Sequence, residues 1–91
     1  MKESTIESKT VNYAKSKGWL VYKFTSPGNR AVPDRIFIRK GIVFFIEFKT
    51  LGKKATKLQK KVHDDINYHH IIVYVIDNFL EGKKLIDSFE K

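Results

Sequence analysis

Two carboxylates and one amine occupy positions that neighbouring strands of a sheet would bring together. Asp34 comes directly before one apolar segment, and Glu47 and Lys49 lie at the end of the next one. Side chains alternate between the two faces of a strand, so Glu47 and Lys49 point to the same face. A tight turn at Lys40-Gly41 would place Asp34 directly opposite Glu47, with the two Cβ atoms about 4.5–5.5 Å apart. Because two carboxylates at that distance repel each other unless a cation lies between them, the pattern predicts a divalent metal site.

The oxygen ligands of this predicted site favour Mg²⁺ or Mn²⁺, which bind one or two carboxylates and fill the remaining positions with water and substrate phosphate. The alternative is that Asp34 is a turn residue after Pro33 and that Glu47 is a surface residue at a strand edge. Glu47 argues against this alternative because it lies within the sequence Phe-Phe-Ile-Glu-Phe, where a charge without a use is disfavoured. Lys49 could be an ordinary surface lysine, or it could orient an attacking water and stabilise charge on a phosphate.

Glu7 and Gln59 each have both a structural and a chemical interpretation. Ser4 with Glu7, and Thr56 with Gln59, have the spacing of a helix capping box. Glu7 also lies on the core-facing stripe of its helix, from which a third metal ligand could come, and Glu3 on the same stripe is a less suitable substitute. Gln59 is predicted at a positively polarised helix start, where its amide could contact a phosphate or the attacking water.

The hydrophobic pattern predicts an α/β domain in the order α-β-β-β-α-β, with an optional helix at the end. The predicted helices cover residues 4–17 and 56–67, the strands cover 19–24, 34–39, 42–49 and 71–76, and the optional helix covers 81–89. The segment between the last two strands is long enough for a helical crossover, so these strands are predicted to run parallel. The result is a mixed sheet flanked by helices.

Two burial patterns and one group of histidines complete this prediction. Leu58, Val62 and Ile66 have the spacing of a buried helical stripe. The continuous apolar strand at residues 71–76 is predicted to be buried on both faces. The three histidines show no convincing metal-ligand spacing and are predicted to pack or to lie in solvent; they are His63, His69 and His70.

Composition points to one basic domain that binds a polyanion. The 91 residues carry a formal net charge of +8 and include no cysteine, which excludes disulfides and zinc-thiolate clusters. No apolar run is long enough to cross a bilayer, and no segment combines a basic face with a long apolar one, so no membrane partner is predicted. Nucleic acid is the expected partner. The candidate contacts are the basic side chains near the acids and around the second helix: Arg30, Arg35, Lys53, Lys54, Lys57, Lys60 and Lys61.

With Pro33-Asp34 followed by Glu47-Phe48-Lys49, the chain resembles the PD-(D/E)xK nuclease superfamily, and more narrowly the stand-alone VRR-NUC domains of phages and bacteria. A bare Asp…Glu-x-Lys pattern is weak because it often arises by chance. The resemblance here covers nearly the whole chain in one order. Its elements are Glu-Ser-x-Ile-Glu at 3–7, Tyr22-Lys23-Phe24, Ser26-Pro27-Gly28, Val32-Pro33-Asp34-Arg35-Ile36, Phe45 to Lys49 and Thr56-x-x-Gln59.

This resemblance implies a restriction-endonuclease-like core over residues 1–91 as a single nuclease domain, and metal-dependent hydrolysis of DNA phosphodiester bonds. The ligands of Mg²⁺ or Mn²⁺ would be Asp34, Glu47 and the backbone carbonyl of Phe48, with Glu7 as the helix-borne acid. Lys49 would be the catalytic lysine and Gln59 the helix-start glutamine. Two departures from the family pattern are Ala31, where glycine is favoured, and residues 67–70, which replace a glycine after the second helix.

Small stand-alone members of the family are similar in forming homodimers that cut branched DNA such as Holliday junctions. A structure-selective endonuclease acting in the cytoplasm of a bacterial cell or phage-infected host is therefore the expected function. Three alternatives stay open at this point: a flap or nicking nuclease, a DNA-binding module that has lost catalysis, and a basic scaffold protein.

Overall fold

Four strands and three helices follow one another in the computed structural model of the chain, which describes residues 1–90. The elements are α1 (Glu3–Ser16), β1 (Leu20–Lys23), β2 (Arg35–Arg39), β3 (Ile42–Phe48), α2 (Lys57–Tyr68), β4 (Ile72–Ile76) and α3 (Phe79–Asp87). The predicted α/β class and element order are confirmed, and the optional final helix is present. None of the helices in the described part of the chain is long and apolar enough to span a membrane.

The hairpin of β2 and β3 has the predicted register. Its turn residues Lys40 and Gly41 have φ angles of 47° and 85°, and positive φ at both central positions is the geometry that matches the twist of the flanking strands. The pairing begins at Arg39 with Ile42 and continues in step along both strands. The last pair is Arg35 with Ile46, and Asp34 and Glu47 are the next residues at this end of the hairpin.

The sheet is mixed, as predicted, with the strands in the order β1-β2-β3-β4. β1, β2 and β3 are antiparallel neighbours, and β4 runs parallel to β3. Helices α1 and α3 cover one face, while α2 packs on β4 from the other face. In the register of β3 and β4, Glu47 pairs with Val75. Because α2 packs on β4, this helix lies close to the end of the sheet that carries the acids.

The prediction that the last strand is buried on both faces is wrong. Ile72 and Val75 are 51% and 42% exposed. The strand lies at the edge of the sheet, where the helices on the two faces cover it only in part. A continuous apolar sequence therefore did not indicate a central strand here.

The predicted buried stripe of α2 is confirmed only in part. Val62 is buried and Ile66 is half-buried, but Leu58 is 55% exposed. The other buried residue of the helix is His63, which lies with Gln59 against Glu47. The covered side of α2 therefore includes polar side chains that face the carboxylate.

The main core lies under α1 and α3 and is built around stacked aromatic rings. Phe37 and Phe44 stack with ring centroids 4.9 Å apart, and Trp19 meets Phe44 edge-on at 5.1 Å. Phe89, just after α3, stacks on the same Phe44 ring at 5.1 Å. These contacts attach the last helix to the sheet through side chains that bury large apolar areas.

Both departures from the family pattern are accommodated in the backbone. His70, just past the end of α2, has a φ of 67°, a left-handed conformation in which glycine is usual and any other residue costs about 1–2 kcal/mol. Ala31 is buried, and its N–H donates to Oδ1 of Asn29. Neither departure takes a polar group away from the acids.

Close packing between α1 and α3 depends on the absence of a side chain at Gly82. A Cβ added there would lie 2.5 Å from Oγ1 of Thr10 and 2.9 Å from its Cγ2, and Thr10 is fully buried. We expect Gly82→Ala to reduce the free energy of unfolding by about 1–3 kcal/mol, since overpacking outweighs the gain in helix propensity. Urea denaturation followed by circular dichroism measures this loss.

A double variant separates this clash from other effects of the substitution. Thr10→Ala removes both atoms that the new Cβ would meet. The loss caused by Gly82→Ala should therefore shrink in the Thr10→Ala background, and an equal loss in both backgrounds would contradict the packing argument.

Candidate active site

Asp34 is fixed beside β3 by two hydrogen bonds. Its N–H donates to the carbonyl of Ile46 at 3.1 Å, and its Oδ2 accepts the N–H of Phe48 at 2.8 Å. In a hydrogen-bonded strand pair, the N–H and C=O of one residue point to the same side. The Phe48 carbonyl therefore belongs to the side of β3 on which Asp34 lies, which agrees with its predicted position near the acids.

Glu47 is the most enclosed charged residue of the site, with 4% of its surface exposed. Its Oε2 accepts a hydrogen bond from Nε2 of Gln59 at 3.2 Å and lies 3.9 Å from Nζ of Lys49. Its Oε1 is buried and has no hydrogen-bond partner in the part of the chain that the structure describes. A buried carboxylate with an unpartnered oxygen next to a second carboxylate is a donor set that suits a hard cation.

Burial dominates the electrostatics of both acids. It raises the pKa of Glu47 to about 7, and the neighbouring Asp34 carboxylate adds to this increase while Lys49 opposes it. Burial also raises the pKa of Asp34, while the Phe48 N–H lowers it and Glu7 raises it. Both acids therefore hold protons more tightly than in water, which is the expected consequence of collecting carboxylates without a cation.

The high pKa of Glu47 makes the metal-free protein less stable as pH rises. In the folded state the Glu47 carboxyl keeps its proton up to about pH 7, whereas its ordinary pKa is 4.5. The contribution of this protonation to the free energy of unfolding is therefore complete below pH 4.5 and is lost as pH rises through 7. We expect Glu47→Gln, which cannot ionise, to be more stable than wild type by about 3 kcal/mol at pH 8 and equal to it at pH 4. Urea denaturation in EDTA at both pH values measures the difference.

Glu81→Gln provides the control for this pH dependence. Glu81 is an exposed residue of α3 that lies 3.9 Å from Lys84, so its replacement should leave the pH profile of wild type unchanged. A stability difference between Glu47→Gln and wild type that is constant from pH 4 to pH 8 would contradict the argument.

Glu7 has a different partner from the one predicted. Helix α1 begins at Glu3 with Lys2 as its N-cap and has no side-chain cap hydrogen bond, so the predicted capping box of Ser4 and Glu7 is wrong. Glu7 instead accepts a hydrogen bond from Nε of Arg35 at 2.6 Å. It is close enough to the two acids to raise the pKa of both, so α1 brings a third carboxylate near the acids, where it is paired with Arg35.

Gln59 forms the predicted capping box and also donates a hydrogen bond to one of the acids. The capping box is formed, because Oγ1 of Thr56 accepts the N–H of Gln59 and Oε1 of Gln59 accepts the N–H of Thr56. The remaining amide nitrogen of the same side chain donates to Glu47. The start of α2 is thereby attached to the acid through one residue.

His63 is the residue of this site that sequence reasoning missed. It is 5% exposed, and its Nε2 lies 3.9 Å from Oε1 of Glu47. Burial lowers the pKa of His63, an effect that Asp64 opposes. The spacing of four residues from Gln59 was the signal in the sequence, since such residues share one face of a helix.

A cluster of three or more His, Cys, Asp or Glu side chains arranged to hold a metal ion is absent from residues 1–90. The ligands that the site offers are the carboxylates of Asp34 and Glu47 and a backbone oxygen. This set is typical of Mg²⁺ sites in proteins, where one or two carboxylates bind the ion and several waters complete its coordination.

The basic residues predicted to contact nucleic acid fall into two groups. Arg35 is paired with Glu7, and Lys61 lies 3.3 Å from Asp65. The others are exposed around the loop before α2, on α2 and near Asp34, and they are Arg30, Lys53, Lys54, Lys57 and Lys60. Lys53 and Lys54 line a cavity of about 310 Å³ together with Val75, the strand partner of Glu47.

Comparison with known proteins agrees with this architecture. No protein-family model matches the chain. Over 64 residues, which are 69% of each protein, the chain is 39% identical to "Putative nuclease p44" of Acyrthosiphon pisum secondary endosymbiont phage 1. A solved structure named "VRR_NUC domain" matches with a TM-score of 0.87 at 24% identity over 96% of both chains. Another, named "VRR_NUC domain protein", matches with a TM-score of 0.80 at 16% identity over 98% of this chain and 88% of that one. This chain therefore belongs to the same family as the phage protein, and its fold is that of the VRR-NUC domains that its sequence resembles.

Proposed function

We propose that this protein is a nuclease, and more specifically a Mg²⁺- or Mn²⁺-dependent endonuclease that hydrolyses phosphodiester bonds in branched DNA. The name of the phage relative supports the general activity. The observation that carries the proposal is the enclosed Glu47 carboxylate, with one oxygen unpartnered and with Asp34 and Lys49 close enough to shift its pKa in opposite directions.

In this proposal Asp34, Glu47 and the Phe48 carbonyl would hold the cation. When bound, the cation would supply Lewis acidity, which activates water and neutralises charge on the scissile phosphate. The protein's own contribution is to fix the acids: the Phe48 N–H holds Asp34, and the Gln59 amide holds Glu47. Lys49, whose side chain is 15% exposed, can reach a substrate phosphate while its charge stays beside the acids.

The exposed lysines around the start of α2 would bind phosphates of the DNA backbone. Charge contacts of this kind give affinity that falls steeply with salt and carry little sequence information. The cavity beside Val75 has two lysines in its wall, and these lysines would extend the phosphate contacts away from the acids. Selectivity would then come from the shape of the DNA and not from its sequence.

Cutting both sides of a four-way junction requires two sites in symmetric relation, so we include a twofold homodimer in the proposal. One surface suits a second copy. Leu20 and Tyr22 of β1 are 48% and 58% exposed. They pair with Ile38 and Ile36 and lie on the same face of the sheet as α2, in the part that this helix does not cover. Sedimentation equilibrium of wild type and of Leu20→Glu tests whether this face forms the dimer.

A panel of labelled substrates tests the proposed activity. Four-way junction, flap, nicked duplex and linear duplex are each incubated with the protein in EDTA, in Mg²⁺ and in Mn²⁺. Paired symmetric nicks in the junction that require metal are the expected result. Preference for the flap or for single nicks would indicate a flap or nicking nuclease instead of a junction nuclease. DNA binding without cleavage in either metal would indicate an inactive binding module. The absence of DNA binding would indicate a scaffold protein.

A further inference from the structure

Two buried polar atoms face each other at the centre of the site without a hydrogen bond. Nε2 of His63 and Oε1 of Glu47 are 3.9 Å apart, and neither has a hydrogen-bond partner among residues 1–90. Their residues are 5% and 4% exposed. Leaving such groups unpaired is costly, and the gap exceeds the most common N–H···O distance by about 1 Å.

The groups around these two atoms indicate that a hydrogen bond from His63 to Glu47 is the interaction that would satisfy both. Glu47 already receives the Gln59 amide on its other oxygen, so a donor on Oε1 would fix the plane of the carboxylate from both sides. Nε2 of His63 carries a hydrogen in the imidazolium and in one of the two neutral tautomers. Both donors come from α2, one turn apart, so they approach the carboxylate from the same element.

We propose that His63 is a positioning residue that donates its Nε2–H to Oε1 of Glu47 and, together with Gln59, orients that carboxylate for metal binding. The inference rests on the proposed metal-dependent function. A carboxylate can accept these hydrogen bonds and still bind a cation, because it offers about four lone-pair positions. Partners of this kind that hold a ligand in place typically change metal affinity or activity about 10–100-fold when they are removed.

The alternative is that His63 only fills space between α2 and the sheet. Two substitutions separate the alternatives. His63→Phe keeps an aromatic ring of similar size and removes the donor, whereas His63→Gln places an amide nitrogen near the position of Nε2. If His63 only packs, the phenylalanine variant should be the better replacement; if His63 positions Glu47, the glutamine variant should be.

Calorimetric titration of Mn²⁺ into the DNA-free protein gives a readout that does not depend on cleavage, and thermal unfolding in EDTA reports the packing role. We expect His63→Phe to bind Mn²⁺ about 10–100-fold more weakly than wild type, with an unfolding temperature in EDTA equal to or above that of wild type. His63→Gln should bind Mn²⁺ nearly as well as wild type. Junction cleavage should require correspondingly more Mn²⁺ in the phenylalanine variant.

Equal Mn²⁺ affinity in wild type and His63→Phe would overturn the inference while leaving the proposed nuclease intact. Wild type that neither binds Mn²⁺ nor cleaves DNA would overturn the proposed function itself, and the inference with it. Should His63→Phe fail to fold, His63→Asn takes its place, because its shorter side chain places the amide near the Nδ1 position. Loss of Mn²⁺ affinity in the asparagine variant with retention in the glutamine variant supports the inference, and equal affinity in both overturns it.

Discussion

Asp34→Asn is expected to reduce metal-dependent cleavage of a four-way junction at least about 1,000-fold, comparable to removing a main stabiliser of transition-state charge. The side chain keeps its shape and an oxygen that can accept the Phe48 N–H, which in wild type donates to Oδ2 at 2.8 Å. It loses the negative charge that would hold the cation next to Glu47. Single-turnover cleavage of labelled junction in saturating Mn²⁺ measures the effect.

The same variant should keep its fold and its DNA affinity, because the lysines proposed to bind the DNA backbone lie around the start of α2 and keep their charges. Asp65→Asn is the matched control, since Asp65 is an exposed aspartate of α2 that pairs with Lys61 on the helix surface. Its cleavage rate should equal that of wild type. If Asp34→Asn cleaves the junction within tenfold of the wild-type rate under the same single-turnover conditions, the active site lies elsewhere.

Lys49→Met is expected to reduce the cleavage rate about 100–1,000-fold, the usual cost of removing one group that stabilises transition-state charge. Lys49 lies 3.9 Å from Oε2 of Glu47 and is mostly enclosed, and methionine fills a similar volume without the charge. Mn²⁺ affinity should not fall, because the lost ammonium competes electrostatically with the cation for the same carboxylate. Single-turnover cleavage and calorimetry together separate these two effects.

Lys57→Met provides the comparison for this prediction. Lys57 is the first residue of α2 and is exposed, so we expect weaker junction binding at physiological salt and a normal cleavage rate at saturating protein. If Lys49→Met shows the same profile as Lys57→Met, Lys49 acts only as one more phosphate contact.

The hairpin shows how much of the site the sequence alone determines. Register in a two-residue hairpin depends on the turn and on the two-residue period of the strands, and both can be counted along the chain. Lys40-Gly41 was therefore enough to predict Asp34 opposite Glu47. The capping box of Thr56 and Gln59 was equally local, and it is present.

The predictions that were wrong concern contacts between elements distant in the chain. Ser4 and Glu7 have capping-box spacing, but Glu7 pairs with Arg35, 28 residues away. The local pattern could not reveal this competitor. Likewise, the apolar sequence of the last strand did not reveal that it would lie at the sheet edge with Ile72 exposed.

The order of elements, the hairpin register and the start of α2 are thus determined by the sequence, because each depends on residues close together in the chain. Which side of α2 faces the acids was decided only in the tertiary structure. Each residue turns a helix by about 100°, so Gln59 and His63 lie one position around the helix from the apolar residues Leu58 and Val62. Gln59 and His63 lie against Glu47, which belongs to another element, and the apolar spacing of α2 could not show this.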